Sequence, residues 1–193
     1  MNFCVYGASS NTIDNIYISG GENLGEIMAL RGHGLVFGGG ATGMMGAVAR
    51  GVRRENGYVL GIAPKFFDAD GILFEDCSEF IYTKTMRERK KLLEEKSDAF
   101  IITPGGIGTY DEFFEILTLR QLSQHKKPIA ILNIDNYFGY MLKMLDYTIE
   151  KNFMTSANKE LYFVTSDPNE LITYLENYKS QDFELDQLKD IAK

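Results

Sequence analysis

Short apolar runs alternate along this chain with longer segments in which apolar residues recur every three or four positions. The runs predict seven strands, at residues 3–6, 35–37, 59–63, 80–83, 99–103, 128–133 and 161–164. The amphipathic segments predict six helices, at 13–31, 43–56, 85–96, 109–123, 137–152 and 168–178. Strands separated by helices of this length are typical of βαβ units. The pattern therefore predicts one doubly wound α/β domain, with a mostly parallel sheet and helices on both faces.

The length fits a single core, because 193 residues can bury a sizeable apolar interior in one domain. We place this domain at residues 1–179 and expect 180–193 to be a charged tail that could form a loosely held terminal helix. A net charge of -7 argues against binding to nucleic acid, although a small anion needs only local positive potential. No apolar run approaches the roughly 18 residues that span a membrane, and the start lacks a signal-peptide pattern.

Cysteine and histidine usage points away from disulfide and metal chemistry. Cys4 and Cys77 are too few and too far apart for a disulfide framework or a zinc site, so we expect no metal and a cytoplasmic location. His33 and His125 each lie beside glycine or lysine in predicted loops, and we expect both to be structural or solvated.

Three glycine- or serine-bearing turns follow predicted strands, at residues 7–10, 38–43 and 104–109. Because ligands bind beyond the carboxyl ends of parallel strands, the three turns predict one composite site. The third turn lies between an apolar strand and a helix, where backbone N–H groups and the positive end of the helix dipole favour phosphate.

Glu112, near the start of that helix, is open to two interpretations. It is a candidate catalytic acid or base, and the helix N-terminus would favour its ionised form. It also stands three residues after Thr109, which is the spacing of a capping box, where a glutamate only returns a hydrogen bond to the helix start. The two roles can coexist.

Residues 38–43 match the pattern G-x-G-x-x-G of dinucleotide-binding turns. The context argues against NAD, because the turn follows the second predicted strand and no acid lies about 20 residues later. A tight turn with close packing and a contact to phosphate or ribose both remain open. Arg89 interrupts an apolar stripe with Met86 and Leu93, so it either meets an acidic partner, binds an anion, or lies on a plain surface helix.

Taken together, these motifs resemble a known family. Residues 104–112 read PGGIGTYDE and match P-G-G-x-G-T-x-x-E, and the pair Arg89 and Lys90 stands upstream. This combination resembles the Lonely Guy family, the cytokinin riboside 5′-monophosphate phosphoribohydrolases, which are often mislabelled as lysine decarboxylases. The resemblance also takes in residues 38–46, 118–122, 127–128 and 132–133, and covers most of residues 1–175.

The resemblance implies a Rossmann-like fold, a homodimer and no cofactor. It implies hydrolysis of the N-glycosidic bond of a nucleoside 5′-monophosphate, AMP or an N6-substituted AMP, to the free base and ribose 5-phosphate. Arg89 and Glu112 would be the catalytic pair. The phosphate and substrate contacts would be Gly105, Gly106, Gly108, Thr109, Lys90, Ser9, Gly39, Gly40 and Thr118.

The chain departs from the family pattern at a few positions. The first turn has Tyr6 where many members have cysteine, Leu119 replaces an aromatic residue, and the loop 68–78 lacks a clear counterpart to a glutamate. Because that loop is expected to touch the base, base preference stays open. A non-catalytic nucleotide-binding or sensing protein is the alternative function. A decarboxylase would need a Schiff-base lysine for pyridoxal phosphate, and no feature marks one.

Overall fold

The computed structural model describes residues 1–68, 71–180 and Leu188. Within these residues, seven strands form one sheet: β1 (Asn2–Tyr6), β2 (Gly34–Phe37), β3 (Val59–Pro64), β4 (Glu79–Thr83), β5 (Ala99–Ile102), β6 (Ile129–Leu132) and β7 (Phe163–Thr165). All neighbouring strands are parallel, in the order β4-β3-β2-β1-β5-β6-β7. The predicted parallel sheet is confirmed.

The described chain also forms six α-helices: α1 (Asn15–Leu30), α2 (Gly43–Arg54), α3 (Met86–Glu95), α4 (Ile107–Gln121), α5 (Gly139–Glu150) and α6 (Pro168–Asn177). They cover both faces of the sheet, as predicted. Successive strand residues point to opposite faces, so each strand contributes apolar side chains to a core on either side. Phe3 and Val5 of β1 join the core shared with α1, α2 and α6. Cys4 and Tyr6 join the opposite core, shared with α3, α4 and α5.

No predicted boundary of these elements lies more than two residues from its observed place. The difference at α4 matters for the chemistry, because this helix begins at Ile107 rather than at residue 109. Gly108 lies in its first turn, and the poor helix propensity of glycine explains why the pattern suggests a later start. None of the described helices is long and apolar enough to cross a membrane.

The tail is described at Ser180 and Leu188, and the rest of it lies outside the described residues. Leu188 is 1% exposed and packs in the core beneath α4 and α5. Its carbonyl accepts a hydrogen bond from Asn158 Nδ2 at 3.0 Å. Leu188 is therefore packed on the domain, while the expectation for the rest of the tail lies outside the described residues.

The strand order places the candidate site. β1 lies between β2 and β5, and the chain leaves β1 toward α1 on one face and β5 toward α4 on the other. The two connections diverge, so a crevice opens beyond the carboxyl ends of β1 and β5. This is the topological switch point of the sheet.

Candidate active site

A cleft of about 750 Å³ lies at the switch point and is lined by all three predicted turns. The turn after β1 is hydrogen-bonded to the turn after β5, because Ala8 N donates to the carbonyl of Pro104 at 3.0 Å. Gly7 permits this approach, since a Cβ there would lie 2.2 Å from Thr103 Oγ1. The predicted composite arrangement of the three turns is confirmed.

The glycines of the turn before α4 differ in what they make room for. A Cβ on Gly105 would lie 2.1 Å from Thr109 Oγ1 and 2.8 Å from Ala8 N, so Gly105 is needed for packing behind the cleft surface. Gly106, the N-cap of α4, and Gly108 both line the cleft, and a Cβ on either would meet no protein atom within 4 Å. These two glycines therefore leave bare backbone facing open space at a helix N-terminus, which suits an anion.

Arg89 and Glu112 form an ion pair in the wall of the cleft. Arg89 Nη1 donates to Glu112 Oε1 at 2.8 Å, and Arg89 Nε donates to the carbonyl of Ile62 at 3.3 Å. Both side chains are buried. Gly38 makes the arrangement possible, because a Cβ there would lie 2.0 Å from Arg89 Nη2. Of the alternatives for Arg89, the structure thus gives an acidic partner.

The capping-box interpretation of Glu112 is wrong. Gly106 is the N-cap of α4, so Thr109 and Glu112 lie inside the helix, and Glu112 pairs with Arg89. Burial raises the pKa of the Glu112 carboxyl above its usual value, and the nearby Arg89 opposes this shift without cancelling it. The expected lowering by the helix N-terminus is therefore outweighed by desolvation. The T-x-x-E pattern does cap α3, where Thr85 Oγ1 accepts from Glu88 N.

The other predicted contacts divide into two groups. Ser9, Gly40 and Thr109 line the cleft with Arg89, Glu112, Gly106 and Gly108. Gly105, Gly39, Lys90 and Thr118 do not. Gly39 adopts a φ of +78° and packs against Phe80. Thr118 is exposed nearly two turns beyond Glu112 on α4.

Lys90 is turned toward α4 instead of the cleft. Its ammonium donates to Asp111 Oδ2 at 3.1 Å and pairs with Glu115 as well. Asp111 itself lines the cleft beside Glu112, and its charge contributes to the raised pKa of the Glu112 carboxyl. Arg89 is the single cation among the described lining residues, and Glu112 neutralises it. Bare amides and the dipole of α4 are thus the main attraction for an anion in this chain.

Part of the loop at residues 68–78, which the resemblance led us to expect near the base, lines the cleft, but its hydrogen bonds to the glycine turn were not foreseen. We call residues 71–74 the strap, and its Gly71, Ile72 and Leu73 line the cleft together with Phe67, Met45 and Met86. The strap has no periodic pattern, and it is held at the site by hydrogen bonds to the glycine turn and by packing of Phe74 against Phe37. Asp111 also lines the cleft and was not predicted as a site residue. Its position directly before Glu112 in the motif could have indicated it.

The remaining reactive groups lie elsewhere. His33 is buried against Glu176, with Nε2 2.8 Å from Oε1, and His125 Nε2 lies 2.9 Å from the carbonyl of Ile116, so both are structural as expected. Burial raises the pKa of the Cys4 thiol to about 12. No lysine lines the cleft in the described part of the chain, so these residues do not fit a Schiff base with pyridoxal phosphate.

Comparisons with known proteins agree with the geometry. A family model described as possible lysine decarboxylase matches residues 45–175. The chain is 35% identical over 176 residues to a cytokinin riboside 5′-monophosphate phosphoribohydrolase of Arabidopsis thaliana, covering 91% of this chain and 77% of that one. It is also 35% identical over 178 residues to a probable enzyme of the same name from Oryza sativa subsp. japonica, covering 92% and 73%.

Among solved structures, the molybdenum cofactor binding protein of Rippkaea orientalis aligns with a TM-score of 0.66 and 21% identity, covering 91% of this chain and 93% of that one. A molybdenum cofactor carrier protein from Chlamydomonas reinhardtii aligns with the same TM-score and 20% identity, covering 91% and 94%. At these identities the likeness shows the Rossmann-like fold alone.

Proposed function

The chain belongs to the Lonely Guy family of cytokinin riboside 5′-monophosphate phosphoribohydrolases, and from this premise we propose that it hydrolyses the N-glycosidic bond of a nucleoside 5′-monophosphate. The substrate is AMP or an N6-substituted AMP, and the products are the free base and ribose 5-phosphate. One observation carries the proposal: the bare turn at Gly106 and Gly108 opens onto the same cleft as the buried Arg89–Glu112 pair.

Phosphate binding follows from the turn. The backbone N–H groups at Gly106, Gly108 and Thr109 and the hydroxyl of Ser9 would hold the 5′-phosphate at the N-terminus of α4. Binding energy from this remote group positions the ribose for reaction. Dephosphorylated nucleosides should therefore be poor substrates. Gly105 and Gly39 would act by packing, and Lys90 by holding Asp111.

The chemistry follows from the ion pair. Cleavage of the C–N bond builds positive charge on the ribose, as in other glycosidic bonds. An ionised Glu112 would stabilise this charge, orient the attacking water and accept its proton, while the resulting hydroxyl bonds to the anomeric carbon. The bond's electron pair leaves on the base nitrogen, which takes up a proton. Arg89 would hold Glu112 in one orientation through its rigid fork.

Glu112→Gln tests the chemical role. The amide keeps the size of the side chain and an oxygen that can accept from Arg89, but it loses the charge. We expect base release from AMP to fall by roughly 10²–10³-fold or more, the usual effect of removing one group that stabilises transition-state charge. Chromatography of the products from a panel of nucleotides and their nucleosides measures this loss. Glu95→Gln, an exposed carboxylate on α3 outside the cleft, is the charge-matched control.

The outcomes separate the two candidate functions. Wild-type turnover with a folded but inactive Glu112→Gln variant supports the hydrolase. Full activity in that variant removes Glu112 from the chemistry. Saturable nucleotide binding without base release by the wild type would instead indicate a non-catalytic nucleotide-binding or sensing protein.

We also propose a homodimer in the cytoplasm. Ile107 and Met86 support the dimer, because they are 89% and 40% exposed at the rim of the cleft. Leu93, which the sequence grouped with Met86, is buried in the chain's own core and is unavailable for such a contact. Two free thiols, at Cys4 and Cys77, are consistent with a reducing compartment. Sedimentation equilibrium tests the dimer, and a monomer at micromolar concentration would refute it.

A further inference from the structure

We propose that Tyr137 is a positioning residue for the 5′-phosphate: its hydroxyl holds the carbonyl of Gly105 and thereby aims the N–H of Gly106 at the ligand. This inference rests on the proposed hydrolysis, because it concerns the turn that would bind the phosphate. Tyr137 does not line the cleft, so its effect on a ligand must pass through the residues that it contacts.

The hydroxyl of Tyr137 reaches the phosphate turn from the connection after β6. It donates to the carbonyl of Gly105 at 2.7 Å. The Tyr137 ring is held edge-on against Tyr17 of α1 and against Phe138, with centroids 5.8 and 5.1 Å apart. Gly105 is buried, whereas Gly106 is exposed and lines the cleft. The contact therefore lies behind the surface that a ligand would meet.

The geometry of the peptide unit carries this contact to the front of the turn. The carbonyl of Gly105 and the N–H of Gly106 belong to one planar trans unit, in which the two groups point in opposite directions. A carbonyl fixed on Tyr137 behind the turn therefore leaves the N–H of Gly106 pointing away from Tyr137. That N–H is one of the groups that the proposed function assigns to the phosphate.

The neighbouring carbonyls of the turn are also held by protein donors. The carbonyl of Pro104 accepts from Ala8 N at 3.0 Å, and the carbonyl of Gly106 accepts from Tyr110 N at 3.1 Å. A carbonyl oxygen carries partial negative charge and would repel a phosphate, whereas successive N–H groups attract one. Three donors from three different segments thus turn the carbonyls of residues 104–106 away from the role of ligand contact.

Of these three units, the one between Gly105 and Gly106 has the weakest restraint of its own. Proline fixes the φ angle of Pro104, and the carbonyl of Gly106 is committed to the first turn of α4. Glycine accepts a far wider range of backbone angles than other residues, so a unit flanked by two glycines can rotate and present its carbonyl to the cleft. The hydrogen bond from Tyr137 opposes that rotation.

The connection after β6 is built to hold Tyr137 in this place. Asp135 and Asn136 adopt φ angles of +49° and +54°, in the left-handed region that asparagine and aspartate tolerate better than other residues with side chains. Asn133 closes the connection, because its Oδ1 accepts from Phe138 N at 2.8 Å and its Nδ2 donates to Asn136 Oδ1 at 3.2 Å. Such backbone conformations persist where the surrounding contacts over-determine them.

Tyr137→Phe tests the proposal, because it removes the hydroxyl and keeps the ring. Calorimetric titration in the Glu112→Gln background compares AMP with adenosine, which lacks only the phosphate. Without the hydrogen bond, a smaller share of the molecules presents the Gly106 N–H, and the apparent affinity for phosphate falls with that share. We expect the Kd of AMP to rise by about 3–10-fold, the change that one neutral hydrogen bond corresponds to, and the Kd of adenosine to stay constant.

Tyr58→Phe in the same background is the matched control. The hydroxyl of Tyr58 also donates a hydrogen bond, to Glu79 Oε2 at 2.9 Å, but neither residue lines the cleft. Both affinities of this variant should equal those of the parent protein.

Each outcome decides the role of Tyr137. Unchanged AMP affinity in Tyr137→Phe overturns the proposal. Equal weakening of AMP and adenosine also overturns it, because Tyr137 would then support the fold and not the phosphate turn. Failure of the wild type to release base from any nucleotide would refute the proposed hydrolysis, whereas the titrations need no turnover and would still test the phosphate turn.

Discussion

Replacing Gly108 with alanine should make the protein slightly more stable and markedly less able to bind phosphate. Gly108 lies in the first turn of α4, outside the left-handed region, and its Cβ would meet no protein atom within 4 Å. Alanine is the better helix former by roughly 0.5–1 kcal/mol in a helix interior, and less near an end. We expect a gain of about 0.5 kcal/mol, which corresponds to a rise in Tm of about 1–2 °C for a chain of this size.

The same substitution should weaken binding of the phosphate group. The added methyl group projects from the surface where the phosphate oxygens would approach the amides, and it would stretch at least one charge-assisted hydrogen bond beyond its working length. Such a bond contributes about 1.5–3 kcal/mol, so affinity for AMP should fall by roughly 10–100-fold. Calorimetric titration of AMP into the Glu112→Gln background measures binding without turnover, and thermal unfolding followed by circular dichroism measures stability.

Gly20→Ala in α1 is the matched control. Its Cβ would press only on the flexible end of Ile134, at 2.6 Å from Cδ1, and Gly20 does not line the cleft. Its AMP affinity should equal that of the parent protein. Unchanged affinity in a folded Gly108→Ala variant would refute the phosphate cradle. A large loss of stability would refute the finding that this glycine faces open space.

Two further predictions concern charge and the tail. The proposed activity requires ionised Glu112, so kcat/KM should rise with pH through a pKa above the usual glutamate value. Asp111→Asn removes a neighbouring negative charge, and it should therefore shift this rise in kcat/KM to lower pH. If the rise in kcat/KM of Asp111→Asn occurs at the wild-type pH or at higher pH, the titrating group is not Glu112. Leu188→Ala should cost about 2–4 kcal/mol in urea unfolding while leaving kcat/KM unchanged below the transition, because Leu188 is 1% exposed in the core. A loss under about 1 kcal/mol would show that the tail is not docked there.

The fold was predictable because its signals are local. Strands buried on both faces appear as continuous apolar runs, such as residues 99–102, and helices as stripes of period 3.6. The start of α4 was predicted two residues late. Because Gly108 lies in the first helical turn, the sequence pattern suggested that the preceding loop extends through it. The docked Leu188 was missed because one apolar residue in a charged tail has no periodicity to mark its burial.

The site was predictable only as a set of parts. Motif spacing gave Arg89 and Glu112 as candidates, but not that they bond each other at 2.8 Å. Their contact joins α3 to α4 across the carboxyl end of the sheet, a distance of 23 positions along the chain. Lys90 stands next to Arg89, yet it faces the carboxylates of α4 because consecutive helix residues point about 100° apart.

By itself, the sequence determined which segments become strands and helices, where the glycine turns stand, and which family the motifs resemble. Those properties depend on neighbours within a few residues. Tertiary structure decided that Glu112 is a buried ion-pair partner and not a cap, that Gly38 makes room for Arg89 while Gly108 faces open space, and that the strap lines the cleft. The physical reason is that burial, which raises the pKa of Glu112, and free space, which distinguishes the glycines, exist only after distant segments have packed together.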